Sequence, residues 1–93
     1  MKLFKVKNLK FKDDTTQTIP VYISSNIPQS FGRYRIGVGR KSTRVSYSNA
    51  SGETWEDVAV DFKDGKRLCQ RHYEKKIIQD HLITAVSINA RLL

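Results

Sequence analysis

The sequence predicts an α+β fold: a small antiparallel sheet of about five strands with one principal helix, about 66–81, packed on it. Three observations carry that expectation. Period-two hydrophobicity dominates the chain as far as Ser48, and polar clusters with Gly, Asn, Pro or Asp interrupt it repeatedly. One segment alone, from Lys66 to His81, changes to helical spacing. At 93 residues and 39% hydrophobic content the chain makes a single basic domain, 1–93, with a thin core.

Lys2 to Lys12 reads as a lysine-rich strand. Phe4 and Val6 share one parity, Leu9 and Phe11 the other, so a bulge or twist is expected near Asn8. Asp13-Asp14-Thr15 is turn material. Thr18 to Ser24 alternates, which puts Ile19, Val21 and Ile23 inward and Tyr22 outward. Pro20 cannot donate to a ladder and predicts an edge strand or a strand start. Ser24 to Gly32 reads as a loop. Arg33 to Gly39 alternates strictly, with Tyr34, Ile36 and Val38 on one face and Arg33, Arg35 and Gly37 on the other. Gly39-Arg40-Lys41-Ser42 is a hairpin connection, and Thr43 to Ser48 returns with Val45 and Tyr47 inward.

Glu53 to Phe62 carries two patterns. Trp55, Val58, Ala59 and Phe62 fit a helical stripe, whereas Val58, Val60 and Phe62 fit a strand, which the β-branched content favours. From Lys66 the stripe Cys69, Tyr73, Ile77, Ile78 and Leu82 marks the helix, with Asp64 or Gly65 in its cap region. Leu82 to Leu92 returns to period two and is expected as a last strand.

Charge is distributed unevenly. Ten Lys/Arg face two acidic residues from Met1 to Ser48, while seven basic residues meet seven acidic ones from Asn49 to Leu93. The whole net charge of +8 therefore belongs to the first half of the chain. Such a field attracts polyanions without specifying a fold. Cys69 is the only cysteine, so neither an internal disulfide nor a cysteine-based zinc site is available, which fits a reducing, cytoplasmic setting. No apolar run approaches the ~20 residues of a membrane span, and neither a membrane nor a small-molecule cofactor is expected.

The segment Phe31 to Tyr47 holds the strongest candidate site. As a hairpin it sets Arg33 and Arg35 on one sheet face and Arg40 and Lys41 at its tip, with Arg44 on the returning strand. Guanidinium forks bind phosphate bidentately, while lysine acts as a point charge. Lys2, Lys5, Lys7, Lys10 and Lys12 form a second basic stripe, which would equally blunt a strand edge, and Lys5, Lys7 and Lys10 are its candidates for assisting phosphate contact. Tyr34 and Tyr47 are the candidates for stacking a base, although their parity turns both inward. Gly32 and Gly37 have the spacing of a nucleotide-binding loop, but Val38 stands where its lysine is required.

Other chemistry is sparse. His72, Arg71, Tyr73 and Lys75 supply the residue types of a metal-free ribonuclease. His72 and His81 lack metal-ligand spacing, so no metal site is expected. Glu53, Glu56, Asp57, Asp61 and Asp64 form an acidic run beside Trp55.

The reading that follows is a small nucleic-acid-binding accessory protein, RNA before DNA, contacting phosphate backbone through its basic half. Its size and composition are those of phage-type regulators and counter-defence factors. Two alternatives stand beside it. One is a protein–protein inhibitor that docks its basic face on an acidic or nucleic-acid-binding surface of an enzyme, with Phe31 or Trp55 as apolar anchor. The other is the ribonuclease just named, the one enzymatic option.

Overall fold

The computed structural model describes residues 6–14 and 18–92, with side chains as far as residue 79. Five strands, β1 (Phe11–Asp13), β2 (Val21–Ser24), β3 (Arg33–Val38), β4 (Thr43–Ser48) and β5 (Thr54–Ala59), precede one helix, α1 (Phe62–Leu92). The strands pair in sequence order as one antiparallel meander. The α+β architecture expected from the sequence is thus the observed one.

The helix covers one face of β3, β4 and β5. Tyr34, Ile36, Val45, Tyr47 and Ala59 meet Cys69 and Tyr73 in the core. Gly65 sets the closeness of this packing. A Cβ there would come within 3.1 Å of Ile36 Cγ2 and 3.2 Å of Val45 Cγ1.

The helix departs most from expectation. It starts at Phe62 rather than 66 and runs to Leu92, so the last strand expected over Leu82–Leu92 is helix instead. The start is fixed by Asp61, whose Oδ1 accepts from the Asp64 N–H at 2.8 Å, while Asp64 Oδ2 accepts from the Val60 N–H at 3.0 Å. The first bond is an N-cap that puts the cap at Asp61 rather than Asp64 or Gly65, and the second ties the first helical turn to the residue before the cap. Further on, helix propagation outweighs the β-branched content of the segment.

The parity of β2 is reversed. Tyr22 pairs with the buried Ile36 and packs on Phe62 at 4.3 Å between ring centroids, so Tyr22 points inward. Val21 and Ile23 pair with Gly37 and Arg35 and take the opposite face. One aromatic ring buries more apolar surface than the valine, so the register favours it. Pro20 stands at the start of β2, one of its two expected places, although the strand is interior rather than an edge, and its carbonyl accepts from the Val38 N–H. In β5 the inward positions are Trp55 and Ala59, while Val58 and Val60 are 60% and 88% exposed.

The N-terminal strand is shorter than expected, because residues 6–10 are not strand. Side-chain amides bind that backbone. Gln70 Oε1 accepts from the Leu9 N–H at 2.7 Å and its Nε2 donates to the Lys7 carbonyl at 3.1 Å. Asn26 accepts from the Lys10 N–H and donates to the Asn8 carbonyl. Val6 and Leu9 then both reach the core, which resolves their conflicting parity.

Candidate nucleic-acid interface

Alternation and register assign the residues of the face opposite the helix. Arg35 pairs with Ser46 and with Ile23, Ile23 with Lys12, and Ser46 with Glu56. The adjacent row runs Val21, Gly37, Arg44 and Val58, and the next runs Arg33, Ser48 and Thr54. Lys12, Arg33, Arg35 and Arg44 are all exposed there, with Glu56 the one carboxylate in these rows. Arg33 and Arg35 stand two residues apart on one strand, about 7 Å, a spacing comparable with that of neighbouring phosphates along a polynucleotide.

The remaining sequence candidates fall elsewhere. Arg40 and Lys41 are exposed at the β3–β4 tip, beside the Arg44 end of this face. Lys10 is exposed at the approach to β1. Lys7 donates its ammonium to the Asn26 carbonyl, which gives it a role in holding the loop. Lys5 lies outside the described residues. Lys12, a member of the N-terminal lysine stripe, reaches this face through its pairing with Ile23.

The aromatic residues gather on the other face. Tyr34 and Tyr47 are 0% and 1% exposed, so neither offers a ring to a base. Phe31 packs edge-on against Tyr47 and Tyr73, and Trp55 stacks on the His72 ring at 4.4 Å and 23°. Both proposed anchors are therefore half-buried on the helix side, away from the basic rows.

His72 belongs to this aromatic cluster. Its Nδ1 lies 2.7 Å from the Tyr34 hydroxyl, and burial holds its pKa below the ordinary value. Desolvation likewise raises the Tyr34 and Tyr73 hydroxyls. Arg71 and Lys75 share an exposed helix face, while Tyr73 turns into the core, so the four ribonuclease residue types do not converge. Cys69 is fully buried and its thiol is pushed up to about 12, which makes it packing material rather than a nucleophile. No group of His, Cys, Asp and Glu with metal-binding geometry occurs among the described residues.

The acidic run has local work. Asp61 and Asp64 cap the helix, Asp64 pairs with Arg67, and Glu53 pairs with Lys76 at 2.7 Å. Asp57 accepts from the Val58 N–H on the outer edge of β5. Glu56 and Asp57 remain beside the basic rows, next to Arg35 and Arg44, and Asp13 and Asp14 adjoin Lys12 and Arg33.

No family model, curated protein or solved structure matches this chain. Its function must be argued from the face itself. No helix among the described residues is long and apolar enough to cross a membrane.

Proposed function

We propose that the protein binds the phosphate backbone of nucleic acid, RNA before DNA, through the sheet face that the helix leaves uncovered. One observation carries this reading: Arg33, Arg35 and Arg44 of the β3–β4 hairpin share that face with Lys12 of β1, which lies across Ile23 from Arg35. Arg40 and Lys41 extend the positive surface at the hairpin tip. Ser46, Ser48 and Thr54 add hydroxyls in the same rows, suited both to phosphate oxygens and to a ribose 2′-hydroxyl. The chemistry is recognition without turnover, as suits an accessory protein.

Anisotropy titration of labelled RNA and duplex DNA at about 50 and 200 mM salt tests it. Affinity should fall steeply with salt, and Arg33→Ala/Arg35→Ala/Arg44→Ala should lower the log–log slope by about two. An Arg71→Ala/Lys75→Ala control on the exposed helix face should leave the slope nearly unchanged. Absence of binding at the lower salt would refute the reading. Cleaved RNA in the same tubes would favour the ribonuclease.

A second reading has its own support. Ile19, Val58 and Val60 are 49%, 60% and 88% exposed near the same cations, a composition that also suits an acidic protein surface. Failure of nucleic-acid binding, with the fold intact, would leave that inhibitor reading in place.

A further inference from the structure

Beside the arginines, the uncovered face carries apolar groups that phosphate alone does not require. Val21, Gly37 and Val58 share a row with Arg44, and Ile19 Cδ1 lies 3.9 Å from where a Gly37 Cβ would stand. Ile23 lies between Lys12 and Arg35 in the next row. Apolar and cationic positions thus alternate at the separation of single side chains.

The face is also indented. A concavity of about 610 Å³ lies along Val21, Arg35, Gly37, Arg44 and Val58, with Glu56 and Asp57 on its β5 side. A second of about 530 Å³ adjoins Lys12, Ile23 and Arg33, with Asp13 and Asp14 beside Lys12. A third of about 250 Å³ touches both Arg33 and Arg35 and so links the other two. The result is an extended track rather than an isolated pocket.

We propose that this track takes single-stranded nucleic acid, with bases over Ile19, Val21, Gly37 and Val58 and phosphates at Arg33, Arg35, Arg44 and Lys12. This rests on the preceding reading and narrows it. An unpaired nucleotide presents a flat apolar base and a charged phosphate at once, which matches the alternation. A duplex hides its base faces in the stack. Five strands span about 19 Å, too broad for a major groove of about 12 Å, so the face cannot read paired bases from within the groove. Gly37 lowers the floor of the track and lets a base approach the backbone. With no aromatic ring among these positions, base contact is by van der Waals packing and carries little sequence preference.

The test compares a labelled single strand of about 12 nucleotides, the same sequence closed as a duplex, and inorganic polyphosphate as competitor. The single strand should bind about tenfold more tightly than the duplex at equal salt. Val58→Tyr, on an exposed edge position, should tighten single-strand binding about five- to tenfold by supplying a stacking ring, and Val58→Ser should weaken it. Polyphosphate affinity should follow neither substitution. If the duplex binds as well as the single strand, or if the Val58 variants leave single-strand affinity unchanged, the base track is wrong while phosphate binding stands. If neither single strand, duplex nor polyphosphate binds, both readings fall together.

Discussion

Gly32 stands where the chain enters β3 at a φ of +125°, a region that side chains rarely adopt. A Cβ there would lie 2.6 Å from Tyr47 Cε1 and 2.7 Å from the Ser48 carbonyl, both in the closely packed β3–β4 region. Gly32→Ala is expected to cost about 3 kcal/mol or more, combining backbone strain with overpacking. Thermal melting would then fall by more than about 10 °C. Gly52 is the control: its φ of +86° is also unfavourable, but nothing lies within 4 Å of the added carbon. Gly52→Ala should cost only the backbone share, about 1–2 kcal/mol. At the same scale, His72 makes stability depend on pH. Its burial favours the neutral ring, opposed by Glu53 and assisted by Lys76 and Lys75. Tyr34, Tyr47 and Trp55 enclose the ring from the sheet without supplying charge at neutral pH. The unfolded chain therefore takes up the proton first, and stability falls as pH drops below about 6.5 toward the lower folded value. His72→Asn should flatten the loss of melting temperature between about pH 7.5 and 5. Glu53 and Asp64, whose pKa values are held low by Lys76 and by the Val60 N–H respectively, act in a separate window below the ordinary carboxylate range.

Elements show where local pattern suffices and where it does not. The β3–β4 hairpin was legible because both strands alternate strictly and a Gly-flanked polar turn joins them. Of its inward set, Tyr34, Ile36, Val45 and Tyr47 are buried and Val38 half-buried, and Thr43 is buried beside them. The parity of β2 was not legible, because Ile19, Val21 and Ile23 outnumber Tyr22, yet one ring packed on Phe62 decides the face. Nor could pattern alone foresee that Leu82–Leu92 continues a helix, since its alternation suits a strand. Strand alternation places Arg33, Arg35 and Arg44 on one face, and cross-strand register brings Lys12 and the neighbouring valines to the same face. The N-terminal segment depends on a contact 61 residues away, Gln70 to Leu9, which no local window contains. That contact yields a prediction. Gln70→Ala removes an acceptor for the Leu9 N–H and a donor to the Lys7 carbonyl, costing about 1–3 kcal/mol. Hydrogen exchange at Leu9 should accelerate far more than at Ile36 in the core, whereas equal acceleration at both sites would show that the whole domain, not the segment, had been loosened.

At the scale of the molecule, the net charge of +8 opposes compaction wherever like charges are drawn together. The fold places Arg33, Arg35, Arg44 and Lys12 on one face, and their mutual repulsion is relieved by salt or by a bound polyanion. Two consequences have opposite salt dependence. The free protein should melt at a higher temperature as salt increases, because screening weakens repulsion among these cations. The complex should lose affinity over the same range, because salt competes for the counterion release that drives binding. A ligand present at 100 times its Kd adds about 2.7 kcal/mol to the stability of the native state, enough to raise the melting temperature by about 10 °C or more in a domain this small. Melting curves with and without a single-stranded oligonucleotide should therefore lie far apart at about 50 mM salt and converge by about 200 mM. The Arg33→Ala/Arg35→Ala/Arg44→Ala variant should reverse the first term, melting higher than the parent without ligand at low salt, and lose most of the second. A variant that gained no intrinsic stability would show that the arginines are too far apart, or too well solvated, to strain the fold. A parent protein whose melting temperature ignored the oligonucleotide would remove the uncovered face from consideration as a nucleic-acid surface.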